Sequence, residues 1–258
     1  TLGFAGHAEA ILSLHPSIQY VGFDKDTFAI EKATERLAKY DDFRCYRQPF
    51  STMFDAIETQ GIKPTHILLD LGVSSYQIDS SERGFTFQND EPLDMRMDTT
   101  QAKTAKLVLE TYSQSCLMDL FRNEADMKNP SKLVDQIIAA RTNRRIETTF
   151  DLINIIKSSV FVRSRSQLIA QITRIFQAIR VEVNGELNEL DYFLEQILPL
   201  KNVTVAIITF QPNEDRRVKA FVKEHGLIRI TKKPLQSTYH ERKSNPREKT
   251  AKLRIFKV

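Results

Sequence analysis

The strongest constraint on this chain is an alternation of strand and helix patterns that breaks off after residue 70 and resumes at residue 203. "IQYVGFD" (18–24), "FRCYRQ" (43–48) and "HILLD" (66–70) read as strands. Between them, "DTFAIEKATERLAKY" (26–40) places Phe28, Ala29, Ala33 and Leu37 at helical spacing, and "FSTMFDAIETQ" (50–60) reads as a short helix. Strands and helices alternating through short connections predict a parallel, doubly wound sheet. After a long polar loop, residues 101–198 carry helical periodicity and no clear strand: "TAKLVLETY", "SCLMDLFRNE", "SKLVDQIIAARTN" and "TFDLINIIKSSVF" each make one apolar stripe. Apolar residues from Leu168 to Ile197 then recur every three or four positions, with Asn184-Gly185 the expected break or bend. The sheet resumes at "VTVAIITF" (203–210), followed by a helix through "EDRRVKAFVKEHG" and two β-rich pieces, "LIRIT" (227–231) and "TAKLRIFKV" (250–258). The expected architecture is α/β with an inserted all-helical small domain. Residues 1–98 and 199–258 would form the sheet domain and 99–198 the insert. The loop 72–98 is too long for an ordinary connection, which points to a functional role.

Length and composition narrow the partners. The chain has 258 residues, 41% of them hydrophobic and 27% charged, as an ordinary globular protein does. No apolar run nears the roughly 20 residues a membrane span needs, and no signal peptide is recognised. Cys45 and Cys116 stand apart without a CxxC or Cys/His cluster, which argues for a reducing compartment and against disulfides and structural zinc. The net charge of +4 is unevenly spread: residues 216–258 hold 14 Lys/Arg against three Glu, an excess of +11 that leaves −7 elsewhere. A basic end on an acidic body suggests a polyanion, nucleic acid above all, touched on one side; solvated surface charge is the plainer reading.

Two segments can carry chemistry. In "TLGFAGHAEAIL", Gly3, Ala5 and Gly6 allow close backbone approach just before a helix N-terminus. The chain begins inside this motif at Thr1, so the strand expected before it would lie ahead. Asp24 ends the next strand, where an acid meets the ribose of an adenosine cofactor; the alternative is an Asp capping the helix that starts near Asp26. His7 reads as a loop or cofactor-contacting residue. The second segment is "THILLDLGVSSYQID", a buried-type strand that delivers Asp70 at its end. That carboxylate either turns to water or sits where ligands bind, at the carboxyl end of a strand. The glycines do not complete GxGxxG, which disfavours a nicotinamide enzyme, whereas S-adenosylmethionine has no pyrophosphate to cradle.

"TLGFAGHAEAIL", "DLGVSSYQID", "ERGFTF", "PLDMRMD", "IFQAIRVEVNGEL" and "NPREKTAKLR" together resemble the MraW/RsmH family along nearly the whole chain. The resemblance implies a Rossmann-like class I methyltransferase sheet and S-adenosylmethionine as cofactor. It also implies methylation of the N4 amine of a cytosine in the decoding region of small-subunit ribosomal RNA. As cofactor-binding positions it implies Ala5, Gly6, His7, Asp24 on the ribose, Phe50 beside the adenine, Asp70 and Gln77. Its implied partner is small-subunit rRNA or the small ribosomal subunit, in a bacterial cytoplasm or an organellar matrix; a homodimer is left open, and neither membrane nor metal is implied. The sequence departs from the family where F-H-S-L-E-D-R is replaced by Phe210-Gln211-Pro212-Asn213-Glu214-Asp215-Arg216, where "IAQ" stands for a His-Pro before "ITRIFQAIR", and at Ala5, usually Gly. These changes bear on target affinity.

An exocyclic amine is a poor nucleophile and needs an acceptor for its N–H at the strand end. Asp70 is the expected catalytic residue, with the Ser74/Ser75 loop backbone as competitor. The loop 72–98 would cover the base, with Tyr76, Phe85 and Phe87 for stacking. Arg83 and Arg96 either bind phosphate or pair with Glu82 and Asp94. Lys232, Lys233, Arg242, Lys243, Arg247 and Lys252 form the expected RNA footprint, with affinity falling steeply as salt rises. Two readings compete with the methylation of this cytosine: a non-catalytic RNA- or ribosome-binding protein that keeps the fold, and a methyltransferase acting on another RNA or a protein amine.

Overall fold

The computed structural model describes residues 1–79, 82–143 and 146–258. In chain order the elements are α1 (Gly6–Leu14), β1 (Tyr20–Asp24), α2 (Thr27–Leu37), β2 (Phe43–Arg47), α3 (Met53–Thr59), β3 (His66–Asp70), α4 (Ser75–Asp79), α5 (Ala105–Thr111), α6 (Gln114–Asn123), α7 (Ser131–Asn143), α8 (Thr149–Ser159), α9 (Arg165–Asn184) and α10 (Glu186–Ile197). They continue as β4 (Thr204–Thr209), α11 (Pro212–Glu224), β5 (Ile228–Arg229), β6 (Leu235–Gln236), α12 (Tyr239–Ser244) and β7 (Lys252–Lys257). The chain forms two compact units, residues 1–72 with 187–258, and residues 73–186.

The first unit is mixed α/β. β1 and β2 pair in parallel, as do β3 and β4, with Asp70 opposite Ile208. The strand–helix alternation predicts a parallel sheet, but the sheet is mixed. β7 runs antiparallel to β4 on one side and to β5 and β6 on the other. The cause is the connection: a parallel neighbour needs a crossover such as α11, which carries the chain from β4 to β5. After β6, in contrast, the chain turns back through α12, so β7 enters from the carboxyl end of β4. β3 and β4 alternate buried with half-buried or exposed positions, so one face of the pair is the better covered. Ile67, Leu69, Val205 and Ile207 pack with Leu190, Phe193, Leu194 and Ile197 of α10 and with Val218 and Phe221 of α11. Each such side chain removed from water contributes on the order of 1.5–3 kcal/mol. The α10 stripe therefore belongs to the sheet's core.

The second unit packs α5–α9 around Leu109, Leu117, Phe121, Ile137, Ile156, Ile175 and Ile179. α9 stops at Asn184 because Gly185 takes a left-handed conformation (φ 63°), which a residue with a Cβ disfavours. The described part of the long loop is packed rather than slack, with Leu93, Met95 and Met97 buried. Asn184 holds it: its side-chain amide donates to Met95 O at 2.8 Å and to Arg180 O at 2.9 Å, and its Oδ1 accepts from Met97 N at 2.8 Å. Asn184→Ala removes the side-chain partner of Met95 O and Met97 N, both buried, and is expected to destabilise the protein by about 2–4 kcal/mol. Urea unfolding would measure this, and an unchanged midpoint would contradict it.

Candidate active site

The carboxyl ends of β1 and β3 are linked by residues 1–5. Gly3 N donates to Asp24 Oδ2 at 2.8 Å, and the Asp70 backbone N–H donates to Thr1 Oγ1 at 2.7 Å. Leu2 lies directly over Gly22 in β1, where a Cβ would stand 2.7 Å from the leucine methyl. Gly3 and Ala5 both take left-handed conformations, φ 52° and 60°, and so turn the chain sharply into α1. For Ala5 this is strained backbone, tolerated because its methyl is fully buried. Gly3 and Gly6 face open space, and the first N–H groups of α1 have no partner within the helix. Glu9 on α1, paired with Arg36 at 2.6 Å and Lys39 at 3.0 Å, ties this loop to α2.

The two readings of Asp24 separate. Asp26 caps α2, accepting from Phe28 N at 3.0 Å, whereas Asp24 accepts one backbone N–H on each oxygen, from Gly3 and, at 3.0 Å, from Asp26. A carboxylate oxygen has a second lone pair, so Asp24 can still accept from a diol.

Asp70 closes the site. Its Oδ2 lies 3.4 Å from His7 Nε2, and its Oδ1 is buried without a hydrogen-bond partner. A dry carboxylate oxygen is costly, and an N–H of a bound molecule would satisfy it. The hydrogen bond to Asp70 raises the His7 pKa above its ordinary 6.5, against partial burial, with Asp70 and Glu248 charges adding to the rise. This contact contributes stability that is full below the unfolded pKa and is lost as pH rises through the raised folded value. In an NMR titration His7 is expected to hold its proton above pH 6.5 and to lose that advantage in Asp70→Asn. Equal pKa values in the two proteins would refute the contact.

Ala5, Gly6, His7, Asp24 and Asp70 therefore gather at one end of the first unit. Phe50, in a one-turn 3-10 helix after β2, packs edge-on against Phe193 at 5.9 Å. Gln77 lies in the second unit, buried on α4, with its Oε1 accepting from Ser74 N at 2.9 Å. The expected RNA cations divide. Arg96 forms a two-pronged pair with Asp94 (2.8 and 2.7 Å) and also donates to Thr99 O and Gln101 O. Arg83 donates to the carbonyls of Arg96 and Met97 and lies over the Phe85 ring. Both guanidinium groups thus hold the loop together, the pairing reading for Arg96. Phe87 is half-buried and packs on Phe176 at 5.6 Å, against the core of the second unit. Lys252 departs from the footprint too: β7 aims it at Asp215, 3.1 Å away. Lys232 and Lys233, between β5 and β6, and Arg242, Lys243 and Arg247, on and after α12, are exposed. Thr1 carries no pattern that marks it, and Gln211, capping α11, stands out only as a departure from the family segment.

Among the described residues no group of three or more His, Cys, Asp or Glu could hold a metal ion, and no helix is long and apolar enough to cross a membrane. A central mixed sheet with a glycine loop and strand-end carboxylates is consistent with a class I methyltransferase. The chain belongs to the MraW methylase family, whose model matches residues 1–258. It is 39% identical over 264 residues to ribosomal RNA small subunit methyltransferase H of Picosynechococcus sp. strain PCC 7002, covering 100% of this chain and 88% of that protein. The proteins of the same name from Nautilia profundicola and Persephonella marina are 40% and 37% identical, covering 99% and 100% of this chain and 88% and 90% of theirs. Membership makes S-adenosylmethionine the methyl donor. The residues fit it: open space over the glycine loop, spare lone pairs on Asp24, and the unpartnered oxygen of Asp70.

Proposed function

We propose that this protein transfers a methyl group from S-adenosylmethionine to the N4 amine of a cytosine in small-subunit ribosomal RNA. The observation that carries the reading is Asp70 Oδ1, a buried acceptor without a partner at the end of a buried strand. Bound over the glycine loop, the cofactor supplies an electrophilic methyl. Ala5 and Gly6 let it approach the backbone, and Asp24 accepts from its ribose. Phe50 would flank the adenine. His7 and Thr1 hold Asp70 in place through Oδ2 and the backbone N–H.

Asp70 Oδ1 accepts an N–H of the target amine. That hydrogen bond would localise the nitrogen lone pair and stabilise the positive charge that develops on the amine as it takes the methyl from the sulfonium, and the carboxylate would then accept the amine's proton. Alignment at roughly 3–3.5 Å supplies much of the rate. The base must be unstacked to reach this position. Lys232, Lys233, Arg242, Lys243 and Arg247 would hold the RNA backbone. The last three follow β6 at the carboxyl end of the sheet, the end that carries Asp70. The helical unit is proposed to help recognise the RNA. With a ribosomal substrate, the proposed compartment is a bacterial cytoplasm or an organellar matrix.

The test is methyl transfer from labelled S-adenosylmethionine to unmethylated small ribosomal subunits, with nucleoside digestion of the product. N4-methylcytidine is expected. Cofactor binding with no methylated nucleoside would instead favour a binding protein or a different methyl acceptor.

A further inference from the structure

Among the described residues, four buried side-chain polar atoms have no hydrogen-bond partner, and two of them belong to the first unit: Asp70 Oδ1 and Gln211 Nε2. Gln211 caps α11 in a reciprocal pairing. Its side chain accepts the backbone N–H of Glu214, while the Glu214 carboxylate accepts from Phe210 N at 2.8 Å and Gln211 N at 3.0 Å. This settles which way the amide faces: a backbone N–H needs an oxygen, so the Oε1 is engaged and the NH2 points away. The residue is only 8% exposed, so that NH2 is a dry donor.

The donor and the acceptor stand at the ends of adjacent parallel strands. Asp70 is paired with Ile208, and Leu71 N donates to Ile208 O at 3.0 Å. Beyond the sheet the two segments stay side by side, with the Phe210 ring 3.6 Å from where a Cβ on Gly72 would stand. The Asp70 and Leu71 N–H groups point to opposite sides of β3, the first to Thr1 and the second to β4. Gln211, which follows β4, therefore comes from the side of β3 away from Thr1 and the glycine loop.

We infer that Gln211 Nε2 donates to the ring nitrogen N3 of the target cytosine, beside the N4 amine held by Asp70, and so selects the base. The inference rests on the reaction proposed above. Cytosine offers a donor at N4 next to an acceptor at N3, the complement of an acceptor and a donor in the protein. Uracil offers the reverse order and would face Asp70 Oδ1 with an oxygen and Gln211 with an N–H.

The experiment compares natural small-subunit RNA with RNA carrying 3-deazacytidine at the methylated position, which replaces N3 by C–H, assembled into the same particles. Gln211→Glu keeps an oxygen for the Glu214 N–H and removes the donor. On natural RNA its kcat/KM is expected to fall roughly 10- to 100-fold with cofactor affinity unchanged. The wild type should lose a similar factor on the deaza substrate, beyond any loss the two enzymes share, and the variant should lose no more than that shared part. Gln211→His, with a ring nitrogen to accept and an N–H to donate, should keep both turnover and discrimination. Equal sensitivity of wild type and Gln211→Glu to 3-deazacytidine, or a Gln211→His enzyme that turns over natural RNA without discriminating, would overturn the inference. A wild type that makes no N4-methylcytidine on natural RNA would instead remove the underlying reaction, and this role with it.

Discussion

Asp70→Asn is expected to lower kcat for methyl transfer by about 100- to 1000-fold, the range found when one donor or acceptor that stabilises transition-state charge is removed. Asp70 presents two oxygens, one toward His7 and one buried and unpartnered. Asparagine has only one. If its oxygen turns to the imidazole N–H, an NH2 group faces the target amine and repels it; if it turns the other way, the support from His7 is lost. In neither arrangement is there a full negative charge to meet the cation forming at nitrogen. Because the proposed site also gives the cofactor the glycine loop and Asp24, its dissociation constant should change far less than kcat. Single-turnover rates with saturating subunits, beside cofactor binding by calorimetry, separate the two. Full turnover with normal cofactor affinity would sink the assignment of Asp70.

Asp215→Ala is expected to destabilise the first unit by about 3–5 kcal/mol, the cost of breaking a buried ion pair from one side. Asp215, on α11, is 8% exposed and accepts from Arg254 Nε at 2.7 Å, Arg254 Nη2 at 3.2 Å and Lys252 Nζ at 3.1 Å. Alanine leaves the half-buried Arg254 and Lys252 without this carboxylate. Val218, Phe221 and Val222 of the same helix pack on the sheet, so the loss reaches the core. Burial alone would raise the carboxyl pKa, but hydrogen bonds and charge from Arg254 and Lys252 outweigh it and hold it below the ordinary 3.8. A depressed folded value means the stability is present above the unfolded pKa and disappears as pH falls through the folded one. The gap between wild type and variant in urea unfolding should therefore be full at pH 7 and shrink below pH 4. A gap under about 1 kcal/mol at pH 7 would show that this cluster holds little.

Local pattern made much of this molecule legible. A period of two or of 3.6 residues follows from which face is buried, so strands ending at Asp24 and Asp70 and the break at Asn184-Gly185 could be placed from residues alone. The glycine loop and Asp24 were readable for the same reason: turn chemistry and the last residue of a strand are short-range features. Direction was not. Nothing in "TAKLRIFKV" states that it enters from the carboxyl end of β4, because pairing direction depends on how the intervening chain returns.

Partnering was equally hidden. Arg96, Arg83 and Lys252 look in sequence like the exposed Lys232 and Arg242, yet the first two bind their own loop and the third pairs with Asp215. Whether a cation meets solvent or a carboxylate 37 residues away depends on three-dimensional proximity. So does the amide of Gln211, whose donor is left free only because Glu214 engages its oxygen. The sequence by itself determined which residues end strands, turn the chain and carry charge, since each depends on its near neighbours. Only the tertiary structure decided which of those charges and amides are already partnered and which, like Asp70 Oδ1, are buried without a partner.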